Sequence, residues 1–581
     1  IYRELGPGKR VSLSKLAVEH LETTGRPLRL AIDIAIWQFQ AQAAKGGSNP
    51  AIRTLFYRLV RLLNHSIIPI FVFDGPSKPA FKRNKRSGLG GGGATAAAKQ
   101  LIRLFGLPIH DAPGEAEAEC ALLQQRGIVD AVLSEDVDTM MFGCTRTLRN
   151  WTAEGKRGST APTHVSVYES QTEDTAISGL GRGGLVLVAL MSGGDYIPEG
   201  VPRCGVKLAC EIARAGFGDD LCRLEMDDLD GMATWRRRLK HELLTNESGF
   251  FRTRHKALVI PETFPDLQVL RYYTHPAVSS AEIMDSMAQR TTWGAHVDMI
   301  GLREFVHRAF DWTGHEGAIK LIRVLSPSML VQSIAPPPRQ ANDRRGKVEP
   351  RKKSEEYVLG VGGRRAHWSV DGMTELRVSY IPASLVPLPL LPDAEGILSD
   401  QRCVPLDSDD DTELWAASQE TSGDGKASSK QGAGFDPLSP QTVWLPEYLA
   451  RLGAPLAVET WETDMTAKAR SKPGLKSQPH KKVSSGASKD RTNPGSLDNW
   501  VRTSKPANHT KVSAHVELLP GSESIHTLSS QSSNQKRMLH SEAKSTTNRS
   551  KPSKPSARAG TTGSGPLGDA WAQHYSQSPP R

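Results

Sequence analysis

The feature that most constrains the fold is a series of short, nearly continuous runs of Val, Ile, Leu and Phe. They occupy residues 28–37, 67–75 and 129–138, and an amphipathic helical pattern fills 51–66. Strands that are apolar on both faces are typical of a parallel sheet covered on both sides. The alternation of strand and helix favours right-handed crossovers. The sequence therefore predicts an α/β domain with a mostly parallel, twisted sheet.

Acidic residues interrupt these apolar segments. Asp136 and Asp138 end one predicted strand, in which residues i and i+2 point to the same side. A single acid at a strand end or helix start is usually solvated or caps a helix. For any one of these acids taken separately, such a structural role is the alternative to a functional one. The carboxyl edge of an open α/β sheet is nevertheless where ligand sites form. The other acids placed in this way are Asp33, inside a predicted strand, and Asp74, Glu115, Glu117 and Asp195.

These seven acids predict a metal site if the fold brings them together. Carboxylates that converge without compensation repel one another and raise one another's pKa. Mg²⁺ and Mn²⁺ remove this conflict, and two such ions can clamp the attacking and leaving oxygens of a phosphodiester. No Cys/His cluster accompanies the acids, which disfavours softer metals. Glu115 and Glu117 diverge in a regular helix, so both reach one site only if the turn at Pro113-Gly114 sets Glu115.

The order of several motifs resembles the flap-endonuclease and xeroderma-pigmentosum-group-G family of structure-selective nucleases. The motifs are AIDIAIW, VFDG, GEAEAECA, SEDVDTMMFG and MSGGDY, and the resemblance covers residues 1–330. It implies a PIN-like nuclease fold that uses two Mg²⁺ ions, with Mn²⁺ as a substitute. It also implies that the catalytic acids are Asp33, Asp74, Glu115, Glu117, Asp136, Asp138 and Asp195. All except Glu115 are expected to hold the metal ions. Glu119 lies on the same segment but is expected to take no part in the site.

The segment after Asp195 is similar to the family's helix–two-turn–helix, which binds one duplex arm through backbone amides, typically with a K⁺ ion. Small residues there let peptide N–H groups approach phosphates. Gly200 and Gly205 keep this pattern, whereas Arg203 stands where the family usually has glycine. Lys207 is expected to contact a phosphate, with an ordinary helix-start lysine as the alternative.

The segment between Asp74 and Glu115 is short and rich in glycine. Flap endonucleases have a longer segment there, which threads a single strand, so the resemblance implies an open site of the Holliday-junction-resolvase branch. Basic residues of this segment are expected to meet DNA phosphates, with a solvated loop as the alternative. These are Lys82, Arg83, Lys85 and Arg86.

The predicted domain organisation continues beyond the nuclease. After a core at 1–200 we expect a helical DNA-binding region at 195–330, a basic linker at 334–353, a chromodomain-like β+α domain with an acidic insert at 354–465, and a disordered basic tail at 466–581. The chromodomain is predicted from a resemblance, and we expect its aromatic residues to pack in its core rather than form a methyl-lysine cage. The tail holds 19 Lys and Arg against 6 Asp and Glu, whereas the whole chain carries +10, so the positive charge is concentrated there.

Together these features predict a nuclear, Mg²⁺-dependent endonuclease that resolves four-way DNA junctions by paired nicks, leaving 5′-phosphate and 3′-hydroxyl ends, and that also cuts 5′ flaps. We expect a monomer in solution that pairs on the junction. The alternatives are a monomeric flap or bubble endonuclease and a non-catalytic junction scaffold.

No apolar run reaches membrane-span length and no signal-peptide pattern opens the chain. The six cysteines show no CxxC spacing, which favours a reducing compartment.

Overall fold

The computed structural model describes residues 1–35, 37, 49–86, 92–154, 161–169, 179–291, 293–294, 296–336, 355–390 and 435–471. A seven-stranded sheet forms the centre of the nuclease part, in the order β1-β9-β8-β7-β2-β3-β6. The pairs β7–β8, β2–β7, β2–β3 and β3–β6 are parallel, and only β1 and β9 at one edge pair antiparallel to their neighbours. The strands are β1 Lys9–Ser12, β2 Leu28–Asp33, β3 Ile67–Phe73, β6 Ile109–Asp111, β7 Ala131–Leu133, β8 Arg146–Thr152 and β9 His164–Glu169.

The predicted mostly parallel α/β sheet is thus confirmed, but two strand boundaries were wrong. The strand expected over 28–37 ends at Asp33, because the Ala35 N–H donates to Asp33 Oδ1 at 2.8 Å and turns the chain. The strand expected over 129–138 covers only β7. Its last residues form a turn in which the Asp138 N–H donates to Asp136 Oδ1 at 3.1 Å.

Helices cover both faces of the sheet. In the first part of the chain they are α1 Tyr2–Leu5, α2 Leu13–Thr24, α3 Pro50–Asn64, α4 Gly92–Leu104, α5 Ala116–Gln125, α6 Asp138–Met141 and α7 Arg182–Ser192. The region expected to be helical holds α8 Val206–Arg214, α9 Phe217–Arg223, α10 Leu229–Thr245, α11 Leu267–Thr274, α12 Ala281–Arg290, α13 Met299–Phe310 and α14 Gly314–Ile334. Helices α13 and α14 pack into the same apolar core as α3, α4 and the sheet, so the nuclease core extends past residue 200.

The C-terminal part forms a three-stranded antiparallel sheet with helices at its end. Its elements are β10 Gly360–Ala366, β11 Thr374–Tyr380, α15 Pro382–Leu385, β12 Gln441–Pro446, α16 Glu447–Gly453 and α17 Pro455–Ser471. This sheet packs on α14. Asp371 fixes it to the edge of the nuclease sheet, since Oδ2 accepts the Ser12 N–H at 2.8 Å and Oδ1 lies 2.9 Å from His164 Nε2.

The aromatic residues of this sheet serve packing. Tyr380 is buried, and the Trp444 ring is covered by the protein's own guanidinium groups, Arg365 at 4.4 Å and Arg377 at 5.9 Å. All the described residues belong to one compact unit. Helix α17 continues through Ser471, past the expected start of the tail at 466, while the linker, the acidic insert and the rest of the tail lie outside the described residues. No described helix combines the length and apolarity that crossing a membrane requires.

Candidate active site

Three neighbouring parallel strands deliver acids to one edge of the sheet. Asp33 is the last residue of β2 and is 1% exposed, and Asp74 directly follows β3. Asp136 and Asp138 follow β7, where the turn rather than an extended strand brings them together. Asp33 was expected inside its strand, and its place at the carboxyl end instead puts it beside Asp74 and the β7 turn.

Glu115 and Glu117 reach the same place from the start of α5. Glu115 is extended, with ψ 137°, and precedes the first helical residue, so its side chain is not bound to the helical periodicity that would separate it from Glu117. The Ala116 N–H donates to Asp74 Oδ1 at 3.0 Å and joins this helix start to the end of β3. The structure thus meets the condition that both glutamates face one site.

Asp195 enters from the other side of the site. Helix α7 is buried along its length and ends at Ser192, and Gly193 then takes a positive φ of 94° that turns the chain. A Cβ at Gly193 would lie 2.2 Å from the Pro198 carbonyl oxygen, so the tight return requires glycine. Asp195 emerges from this turn with a side chain that is 11% exposed.

The ammonium group of Lys82 lies at the centre of the acids. Its Nζ is 3.2 Å from Glu115 Oε1, from Glu117 Oε1 and from Asp195 Oδ2. Burial tends to lower the pKa of Lys82, but the charges of Glu117 and Glu115 outweigh it and hold that pKa well above its ordinary value. Lys82 was predicted to face DNA phosphates, and here it pairs with acids from separate parts of the chain.

Burial and mutual repulsion dominate the electrostatics of the acids. Burial raises the pKa of Asp33 well above its ordinary value, and the charges of Glu117 and Asp74 add to this effect. Burial and the charge of Asp136 do the same for the pKa of Asp138. Burial, assisted by neighbouring carboxylates and opposed by Lys82, raises the pKa of Glu117 from 4.5 to about 7. Together, these shifts show that Lys82 offsets only part of the repulsion.

The carboxylate oxygens of the cluster are suitable ligands for a cation. Asp33 Oδ2 and Asp138 Oδ2 are buried without a hydrogen-bond donor, and Asp195 Oδ2 has the ammonium group of Lys82 3.2 Å away. Buried carboxylate oxygens in this state are costly unless a cation pairs with them. Among the described residues no group of three or more acidic, His or Cys side chains lies in a geometry that could already hold a metal ion. A metal ion would therefore need the acids of the cluster to lie closer together than they do here.

Two residues that the sequence analysis missed border the cluster. The Tyr196 hydroxyl donates to Glu115 Oε2, and its ring packs edge-to-face on Tyr273 at 4.8 Å. Burial, followed by the charges of Asp138 and Asp195, raises the pKa of Tyr273. The MSGGDY motif contains Tyr196, so its position directly after Asp195 was a usable signal.

Glu119 stands outside the cluster, as expected. Its Oε1 lies 2.6 Å from His110 Nε2 and its Oε2 accepts the Ser279 N–H at 3.0 Å. These bonds join α5 to the segment before α12.

The predicted DNA-contact residues lie on two elements beside the site. Gly200 and Arg203 have positive φ values of 58° and 68°, so Arg203 takes the backbone conformation that the family usually assigns to glycine. Gly205 immediately precedes α8, and Lys207 is exposed on its first turn. The two-stranded hairpin β4 Phe81–Lys82 and β5 Lys85–Arg86 holds the other group. Within it, Arg83 Nε lies 2.7 Å from Asp195 Oδ1.

Comparisons with known proteins match both halves of the chain. The XPG N-terminal domain matches residues 8–88, the XPG I-region 106–195, and the Holliday junction resolvase Gen1 C-terminal domain 357–464. Flap endonuclase 1 of Sulfolobus acidocaldarius is 30% identical over 252 residues, which are 36% of this chain and 72% of that protein. The human flap endonuclease GEN homolog 1 is 31% identical over 214 residues, which are 33% of this chain and only 23% of the human protein.

Solved structures give a broader match. A eukaryotic junction-resolving enzyme GEN-1 with cesium is 51% identical and has a TM-score of 0.65, covering 80% of this chain and 99% of that chain. The Holliday junction-resolving enzyme GEN1 with product DNA and Mg²⁺ is 50% identical, with a TM-score of 0.62, covering 80% and 98%. The segments that match the XPG N-terminal domain and the XPG I-region together contain all seven acids of the cluster. The chain therefore belongs to the flap-endonuclease and XPG family of structure-selective nucleases, in its Holliday-junction-resolvase branch.

Proposed function

We propose that this protein resolves four-way DNA junctions by Mg²⁺-dependent hydrolysis of phosphodiesters, one nick in each of two symmetric strands. The observation that carries the proposal is that seven acids from separate segments of the chain lie close together, with Asp33 Oδ2 and Asp138 Oδ2 buried and without a partner. Similar solved proteins are described with product DNA and Mg²⁺, and with Mg²⁺ and Mn²⁺. We further propose that it acts on nuclear DNA, in recombination and repair.

The six acids that would hold the ions are Asp33, Asp74, Glu117, Asp136, Asp138 and Asp195. Bound divalent ions lower the pKa of water and offset the charge that develops on the leaving oxygen. Glu115 is hydrogen-bonded to Tyr196 and shares the ammonium group of Lys82 with Glu117, and we propose that it stays outside the direct ligands of the ions. Hydrolysis that releases the 3′-oxygen leaves 5′-phosphate and 3′-hydroxyl ends.

The hairpin and the helix–two-turn–helix would place the DNA. Backbone amides near Gly200 and Gly205, with Lys207, suit the phosphates of one duplex arm, and K⁺ is the ion that the family places there. Arg83, with a side chain that is 68% exposed, and Lys85 and Arg86 on the hairpin are proposed to meet the strand that crosses the site.

The segment between Asp74 and Glu115 favours a branched duplex as the substrate rather than a single strand threaded through the protein. Its helix α4 is part of the apolar core, with Ala98, Leu101 and Ile102 fully buried. The described remainder is dominated by the small hairpin at 81–86. An element of this size leaves the site open to junctions without free ends. Because a four-way junction is two-fold symmetric, two protomers would act on it, one at each cut site.

End-labelled immobile junctions and 5′ flaps test the proposal, with Mg²⁺ or with EDTA. We expect symmetric paired nicks in the junction that require Mg²⁺ and disappear in Asp33→Asn, whereas Asp111→Asn, outside the cluster, keeps them. Cleavage of flaps alone would indicate the flap-endonuclease alternative. Junction binding without any cutting would indicate a scaffold.

A further inference from the structure

The hairpin β4–β5 holds Lys82 in a fixed direction. Its two turn residues, Arg83 and Asn84, have φ values of 54° and 58°, which form the tight type of turn that matches the twist of two strands. The Arg83 N–H donates to the Asp195 carbonyl at 2.6 Å, and Asn84 Nδ2 donates to Glu199 Oε1 at 3.0 Å. The hairpin is thereby attached to the segment that follows α7.

Lys82 takes the position of a bound cation. An ammonium group has three donors, and Nζ lies at the same 3.2 Å from the carboxylates of Glu115, Glu117 and Asp195. The buried Asp33 Oδ2 and Asp138 Oδ2 still have no donor. One positive charge therefore satisfies one side of the cluster and leaves the other for a further cation.

We propose that Lys82 is a built-in counter-ion that divalent metal displaces, so that loading the site releases the hairpin toward the DNA. The inference rests on the proposed metal-dependent function. A divalent ion carries twice the charge of the ammonium group and binds carboxylate oxygens at about 2.0–2.1 Å for Mg²⁺ and about 2.3–2.6 Å for Ca²⁺, closer than Nζ lies here, so it would outcompete Lys82 for Glu117 and Asp195.

The contacts of the hairpin explain why displacement would move it. It pairs with no third strand among the residues that the structure describes, and Phe81 beside Lys82 is 63% exposed. Lys82 and the Arg83 side chain both bind Asp195, which is also one of the proposed metal ligands. An ion that takes the carboxylate of Asp195 therefore competes with the side-chain contacts of both Lys82 and Arg83, while the Arg83 N–H and the Asn84 side chain still tether the turn of the hairpin.

Calorimetric titration with Ca²⁺ tests the competition without any cleavage. Lys82→Met should bind Ca²⁺ at least about tenfold more tightly than wild type, which is about 1.4 kcal/mol. Lys82→Arg retains the charge and should stay near wild type. Lys99→Met is the matched control, because Lys99 pairs with Asp111 outside the cluster. Equal or weaker binding by Lys82→Met would overturn the proposal.

Hairpin movement has its own readout. Phe81→Trp places a fluorophore on the exposed face of the hairpin, and its emission should change on addition of Ca²⁺. The change should be smaller in the Phe81→Trp/Lys82→Met double variant, whose hairpin has already lost the Lys82 contacts with the acids. Constant Phe81→Trp emission despite calorimetric Ca²⁺ binding would refute the release. If Ca²⁺ displaces Lys82 but the protein leaves junctions uncut in Mg²⁺, only the proposed function is refuted.

Discussion

Replacing Glu117 with Gln should stabilise the metal-free protein while removing its activity. Glu117 is 8% exposed, and its carboxyl group has a pKa of about 7 instead of 4.5. The folded protein therefore binds this proton more tightly than the unfolded chain does. The resulting contribution to stability is fully present below pH 4.5 and is lost as the pH rises to about 7. The shift corresponds to roughly 3 kcal/mol.

Glutamine carries no charge at any of these pH values, so Glu117→Gln escapes this penalty. In EDTA at pH 8 we expect its free energy of unfolding to exceed that of wild type by up to about 3 kcal/mol, and the two proteins to converge near pH 4. Urea unfolding of both proteins at pH 4, 6 and 8 measures the difference. Saturating Mg²⁺ should then stabilise wild type more than the variant. A variant that is less stable than wild type at pH 8 in EDTA would refute this reasoning.

Three further predictions test separate parts of the structure. Asp138→Asn should reduce junction cleavage at least about 100-fold with junction affinity in EDTA unchanged, as band-shift and cleavage assays can measure. Gly75→Ala should lower the free energy of unfolding by at least about 2 kcal/mol, since a Cβ would lie 1.8 Å from the Ala112 carbonyl oxygen, whereas Gly360→Ala, with open space, should not. Asp371→Ala should cost about 1–3 kcal/mol and speed hydrogen exchange in β1, where it binds Ser12.

The sequence predicted the sheet well because its strands are apolar on both faces and are separated by a clear amphipathic helix. The boundaries failed where a side chain redirects the backbone. Asp33 Oδ1 accepts the Ala35 N–H and ends β2, although the apolar letters continue to residue 37. Likewise, Asp136 binds the Asp138 N–H within a turn. Such local bonds compete with strand pairing and leave no periodic signal.

The seven acids could be predicted as a set because they interrupt apolar segments and follow the family's motif order. The role of Lys82 could not be predicted in this way. It lies 35 positions before Glu117 and 113 before Asp195 in the chain, and only the packed hairpin shows that it points inward. The participation of α13 and α14 in the nuclease core was missed for the same reason, since long-range packing is not visible in local patterns.

The most direct test of the account is anomalous scattering from crystals soaked in Mn²⁺. We predict one or two Mn²⁺ peaks bounded by carboxylate oxygens of Asp33, Asp74, Glu117, Asp136, Asp138 and Asp195, with Lys82 Nζ moved away from Glu117. Mn²⁺ peaks at other sites, with the acids still gathered around Lys82, would contradict the claim that this cluster is the metal centre.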